Sequence, residues 1–175
     1  GEKSGRLLVV GGGSQEAELR ELAERNGIGH MVDFLGRQSR QQVWDLMSSV
    51  RGLLFPSIRE TSGNVVLEAM GLKCPVVCFN HQGVGMITDD NCAIRINPGE
   101  WDSCVAGFSD AVHRLSGDTD LVSTLGEAGR NRVMSEFTWQ AKISAMLEVY
   151  RKTAHPEPCT TNSAYPSDEP IQSTP

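Results

Sequence analysis

Residues 60–75 read E-T-S-G-N-V-V-L-E-A-M-G-L-K-C-P, from Glu60 to Pro75. Two carboxylates, Glu60 and Glu68, are separated by seven residues, and Gly63 lies between them where a helix would begin. The apolar run Gly52–Pro56 precedes this stretch and Pro75–Phe79 follows it. The order is strand, loop, helix, strand, the repeating unit of a parallel α/β sheet. In such sheets ligands lie beyond the carboxyl ends of strands, where the helices start.

The spacing predicts a helix from Ser62 or Gly63 to Gly71. Val65, Val66, Ala69 and Leu72 form one apolar stripe, and Asn64, Glu68 and Gly71 form a slimmer one. Helical side chains tilt towards the N-terminus, so Glu68 is expected to lean back towards the loop that carries Glu60. The first backbone N–H groups of the helix, at Gly63, Asn64 and Val65, form a natural anion site. Gly63 also allows close approach of backbone to a ligand. Amides for a phosphate and carboxylates for hydroxyls suit a ligand that carries both.

The E-x7-E spacing, followed by Ala69-Met70 and then Pro75-Val76-Val77, resembles the donor-binding signature of retaining GT-B glycosyltransferases, family 4 in particular. The resemblance spans residues 6–153 and implies the family's second, nucleotide-sugar-binding domain without its beginning. The implied fold class is α/β: a Rossmann-like parallel sheet with helices on both faces, the C-terminal half of a GT-B fold, with a helical C-terminus. Residues 1–5 are then a linker and 154–175 a disordered tail. By the same resemblance Glu60 meets the sugar, as the catalytic-site acid, and Glu68 meets the ribose. Thr61, Ser62, Gly63, Asn64 and Val65 complete the donor loop.

Composition narrows the choice of partners. The chain has 175 residues, 39% hydrophobic and 22% charged, enough for one soluble domain with a core. A net charge of −6 without a Lys/Arg cluster argues against nucleic acid, whose phosphates need a basic patch. The sequence contains no apolar run of membrane-spanning length and no signal-peptide pattern at its first residues. Membrane association of a longer parent stays open, with a cytoplasmic location, including peripheral attachment at the inner membrane face, as the expectation. Five cysteines (Cys74, Cys78, Cys92, Cys104, Cys159) form no C-x-x-C pair and read as reduced thiols. The four histidines are scattered, so neither a metal nor a cofactor is expected.

Arg6–Val10 is a short strand ending in Gly11-Gly12-Gly13, and a helix to Asn26 follows, with Ser14 as candidate N-cap. G-x-G-x-x-G fails there, because Glu16 takes the last position. Gly27 suits a helix stop. Met31–Leu35 is the next strand, closed by Gly36 and Arg37, and Ser39 can cap a helix over Arg40–Ser49 with Val43, Leu46 and Met47 inward. After Phe79 comes the glycine-containing loop Asn80–Gly85, and Cys92–Ile96 reads as the last strand. Helical patterns follow over 101–115, 119–135 and 139–153, and a Pro-, Ser- and Thr-rich tail begins at His155. The family's L-x-V-x-G-x-G and V-x-F-x-G segments place Gly11, Gly13, Val32 and Arg37 beside the nucleotide. Its glycine turn places Gly83, with Val84 beside it, near the phosphates. Arg37 reads equally well as a solvated loop cation. Trp139 and Tyr150 are expected as packing anchors of a closing helix.

Two departures from the family stand out. Its G-R-x4-K-G-like segment, whose cations meet the diphosphate, has no counterpart here, and Lys3 and Arg6 do not match it. Lys73 stands where the family has Gly, so either Gly71 stops the helix or Lys73 takes an unusual backbone. The partners implied are a nucleoside-diphosphate-sugar donor, which is a substrate, and an N-terminal acceptor domain absent from this chain. The implied reaction transfers the sugar to an acceptor hydroxyl with retention, and the isolated chain is expected to be inactive. A nucleotide-sugar epimerase of the same fold lacks its acid and His cluster here. A non-catalytic nucleotide-binding scaffold would have no chemical need for both glutamates.

Overall fold

Residues 5–154 are described in the computed structural model. Expectations for residues 1–4 and for the tail from His155, Cys159 included, fall outside them. Five short strands alternate with helices: β1 (Leu7–Val10), α1 (Glu16–Arg25), β2 (Val32–Gly36), α2 (Arg40–Ser49), β3 (Leu53–Phe55), α3 (Asn64–Gly71), β4 (Val76–Phe79), α4 (Gln82–Ile87) and β5 (Ala93–Ile96). Three longer helices end the described chain: α5 (Trp101–Gly117), α6 (Thr119–Arg132) and α7 (Trp139–Ala154). A single π turn, Val133–Phe137, extends α6.

All strand pairs are parallel, as expected, but they fall into two sets. β1 pairs with β2 (Leu7 opposite Val32), while β4 lies between β3 and β5 (Val76 opposite Leu53 and Ala93). Every residue of β4 is buried. A parallel strand covered on both faces needs an unbroken apolar run, which V-V-C-F supplies. Its side chains alternate between two cores. Val76 and Cys78 join Met47, Val66, Ala69, Met70 and Ile87 on one side. Val77 joins Ala111, Leu115 and Leu125 on the other. Phe79 continues that second side, edge-on to Phe108 of α5 at 5.2 Å.

The buried stripe of α3 is Val66, Ala69 and Met70; Val65 and Leu72 are only half-buried. Met70 enters the core because α3 also packs against α6. A Cβ at Gly129 would already touch the Met70 side chain at 3.4 Å, and one at Gly126 would collide with the carbonyl of Lys73. The alternative at Lys73 resolves in favour of the unusual backbone: its φ is +61°. The turn bonds Lys73 N–H to Met70 O and Cys74 N–H to Ala69 O hold it, and Lys73 also pairs with Glu127 of α6.

Helix ends follow local chemistry in most places. Ser39 caps α2, and Gln42 reciprocates to complete a capping box. Gly27, at φ +69°, closes α1. Ser14 does not cap; α1 starts after Gln15 without a side-chain cap. Helix α4 takes in residues of the expected loop Asn80–Gly85. Arg132 of α6 anchors it, donating from Nε to Ile87 O at 2.9 Å and from Nη1 to Asp89 at 2.8 Å.

Helix α7 forms a separate unit that starts at Trp139. None of its residues is buried. Trp139, 82% exposed, and Tyr150, 58% exposed, are the two expected packing anchors. No helix among the described residues is long and apolar enough to cross a membrane.

Candidate functional site

The candidate residues collect where strands end and helices begin. At the first pair of strands, Gly11 (φ +113°) and Gly36 (φ +63°) both take backbone conformations suited to glycine. Gly11 N–H donates to Gly36 O at 2.7 Å, which joins the two loops at the carboxyl edge. Gly13 and Arg37 are exposed beside this junction. Val32 does not reach it: it starts β2, paired with Leu7, at the amino end of the strand.

The loop after β3 is organised by Glu60. Its Oε1 accepts the Ser62 and Gly63 N–H groups, each at 3.1 Å, and lies 3.4 Å from Ser62 Oγ. The amide bonds from Gly63 and then Ser62 hold the Glu60 carboxyl below its ordinary range. Helix α3 therefore starts at Asn64, one residue later than the reading that began it at Gly63. One of the three expected anion-binding amides, that of Gly63, is taken by Glu60 itself. Among the described residues the N–H groups of Asn64 and Val65 have no hydrogen-bond partner. Gly63 is buried at φ +57°, pressed against Ile87 and Val84 of α4. Thr61, Ser62 and Asn64 are exposed, and Val65 is half-buried.

The same loop docks on the turn after β4. Glu60 N–H donates to Gln82 Oε1 at 3.0 Å, and Gly83 N–H donates to Glu60 O at 3.3 Å. Gly83 could not carry a side chain, since a Cβ there would collide with the carbonyl of Thr61. The structure thus brings Gly83 to the Glu60 loop and adds Gln82, which sequence reading missed. Gln82 has φ +49°, a strained value for a residue with a side chain, and strain of this kind gathers at ligand clamps. No local signal marks it, because its partner lies 22 residues earlier.

Glu68 turns towards α2 rather than back to the Glu60 loop. Its Oε2 accepts the Trp44 indole N–H at 2.9 Å, and its Oε1 pairs with Arg40 Nη2 at 2.7 Å. The Arg40 guanidinium also lies over the Trp44 ring, 4.6 Å from its centroid. Arg40 and Trp44 are four apart on α2, so they share a face; nothing in their spacing points to an acid 24 residues further on. A separate open groove of about 360 Å³, lined by Leu35, Gln38, Gln42, Asp45, Leu46 and Ser49, contains none of the candidate residues. Among the described residues no group of three His, Cys, Asp or Glu side chains is placed to hold a metal ion.

The arrangement offers free amides at a helix start, with one carboxylate before the helix and a second, pre-oriented one inside it. The sequence profile of the family Glycosyl transferases group 1 matches residues 2–132. The human alpha-1,3/1,6-mannosyltransferase ALG2 is 30% identical over 144 residues, covering 77% of this chain and 33% of that protein. A glycogen synthase of Mycobacterium tuberculosis is 27% identical over 145 residues, covering 82% of this chain and 34% of the enzyme. Among solved structures, the sucrose-phosphate synthase of Thermosynechococcus elongatus superposes with a TM-score of 0.70 at 26% identity, over 86% of this chain and 39% of that one. The chain spans about a third of the length of the curated relatives it matches.

Proposed function

We infer the function from one premise: this chain belongs to the group 1 glycosyl transferases. Its α/β architecture matches that of GT-B glycosyltransferases. On that premise it is the donor-binding domain of a larger, retaining, family 4 enzyme. The enzyme transfers a sugar from a nucleoside diphosphate to an acceptor hydroxyl. The observation that carries this is the placement of Glu60 and Glu68 around one helix start whose Asn64 and Val65 N–H groups have no partner among the described residues.

The chemistry asks for a diphosphate to leave while positive charge builds at the sugar carbon. Amides fixed at a helix start stabilise the leaving charge without reorganising at the moment of reaction. Glu60 uses one oxygen, Oε1, to hold its own loop, and its other oxygen is the one to grip sugar hydroxyls. Glu68, ordered by α2, takes the ribose hydroxyls. The two acids recognise two parts of one ligand, unlike the acid pair of a retaining hydrolase, which works together at one sugar carbon.

The interrupted sheet suits a longer parent. In a doubly wound sheet of order 3-2-1-4-5-6, the sets 3-2 and 4-5-6 flank strand 1. The sets β2-β1 and β3-β4-β5 have this form if one strand ahead of β1 comes from preceding chain. That strand would bring the cations for the diphosphate, and a preceding domain would bring the acceptor. The exposed apolar residues of α7, Ile143, Met146 and Tyr150 among them, form a surface suited to that domain.

The test is titration of the chain with UDP, GDP and ADP, following backbone amide shifts, beside Glu68→Ala. One nucleotide is expected to shift Gly63–Glu68 saturably and to bind at least about tenfold more weakly to the variant. Unchanged nucleotide affinity in Glu68→Ala would overturn the assignment.

A further inference from the structure

The three-residue cluster Glu68–Trp44–Arg40 has two unequal halves. Trp44 is half-buried, and its indole nitrogen is a donor only, so its bond to Glu68 Oε2 has one polarity. Arg40 is 70% exposed on its side chain, against 27% for Glu68, and reaches Oε1 from the solvent side. An exposed ion pair of this kind contributes little net stability and exchanges readily. The indole bond, at the sheltered end, is the one that fixes the plane of the carboxylate.

We propose that Trp44 is a positioning residue for nucleotide recognition: its indole N–H locks Glu68 Oε2, so that Oε1 is presented to a pair of ribose hydroxyls, with Arg40 as an exchangeable placeholder on that oxygen. This rests on the assignment of Glu68 to the ribose. A carboxylate held by one half-buried donor loses rotamer freedom before the ligand arrives, which lowers the cost of binding. Arg40 keeps Oε1 paired in the empty site and, when displaced, stays stacked on the Trp44 ring, where the π face still attracts its charge. The role belongs to the hydroxyls alone, so it separates from any general effect of Trp44 on folding.

The substitution Trp44→Phe keeps an aromatic face for Arg40 and removes the N–H together with one ring of the indole, and the dideoxy ligand reports the effect of the lost ring alone. It is measured in the full 175-residue chain with the nucleoside diphosphate that binds best and with its 2′,3′-dideoxy counterpart. Trp44→Phe is expected to weaken the ribonucleotide about tenfold, the size of a lost hydrogen bond to a charged acceptor, and the dideoxy form less than about twofold. Equal weakening of both forms, or of neither, overturns the proposal. The failures are distinguishable: if Glu68→Ala leaves ribonucleotide affinity unchanged, the ribose assignment itself falls. A ligand-free arm reads the contact directly. Of the indole N–H resonances of Trp44, Trp101 and Trp139, that of Trp44 is expected to move in Glu68→Gln, and an unmoved resonance overturns the proposal whether or not nucleotide binds.

Discussion

Gly63→Ala probes the joint at which the Glu60 loop enters α3. Gly63 is buried with φ +57°, and a Cβ would stand 2.9 Å from Ile87 Cδ1 and 3.2 Å from Val84 Cγ2. Left-handed backbone costs a residue with a side chain about 1–2 kcal/mol. Both neighbours are buried, Val84 2% and Ile87 9% exposed, so neither can swing into solvent to make room. Forcing one extra carbon into such a contact costs about 1–3 kcal/mol. The two penalties partly relieve each other as the loop shifts, which gives an expected loss of about 2–4 kcal/mol. Gly71, on the same helix, is the control. A Cβ there meets nothing within 4 Å, and its φ is not positive. Gly71→Ala is therefore expected to gain up to about 1 kcal/mol from the narrower unfolded ensemble. Urea unfolding of both variants, followed by circular dichroism with the slope checked for constancy, gives the two numbers. A Gly63→Ala loss below about 1 kcal/mol, or equal losses at both positions, would refute the reasoning from backbone strain and packing.

Lys73, at φ +61°, gives the converse test: Lys73→Gly relieves the left-handed strain and removes an exposed ion pair with Glu127. The strain outweighs a surface pair, so the unfolding free energy from urea titration should rise by up to about 1 kcal/mol, and a fall of that size would contradict it. Alkaline stability tests the buried thiols. Burial pushes Cys74 up from 9.0 to about 11, and burial also raises Cys78 and Cys92. The unfolded chain then loses these protons first as pH rises. The stability they contribute is present in full below pH 9.0 and declines as pH climbs through about 11. Urea midpoints at pH 7, 9 and 10.5 should show the decline, shallower in Cys74→Ala; an unchanged slope in that variant would rule out Cys74 as a source.

Much of the framework is legible along the chain because its causes are local. Ser39 and Gln42 lie three apart and form their capping box within one turn. V-V-C-F announces a strand covered on both faces. Helix α4 escaped because six residues with two glycines carry no usable periodicity, and its anchor, Arg132, lies 45 residues beyond Ile87. Val32 was drawn to the site by its motif, yet strand direction puts it at the far end of β2. Trp139 and Tyr150 were expected as packing anchors from the likeness of their helix to a closing segment; burial depends on what covers a helix face, and none of the residues of α7 is buried among the described residues.

What the sequence determined by itself is the alternation of strands and helices and the two glutamates set around one helix start, since both follow from residue type and spacing over fewer than ten positions. What only the tertiary structure decided is what those glutamates hold. Glu60 spends one oxygen on its own loop, and Glu68 is claimed by an indole and a guanidinium from another helix. A carboxylate accepts from whichever donors the fold brings within 3 Å or so. Here those donors are fixed by the packing of α2 against α3 and of the Glu60 loop against α4, distances that no spacing along the chain encodes.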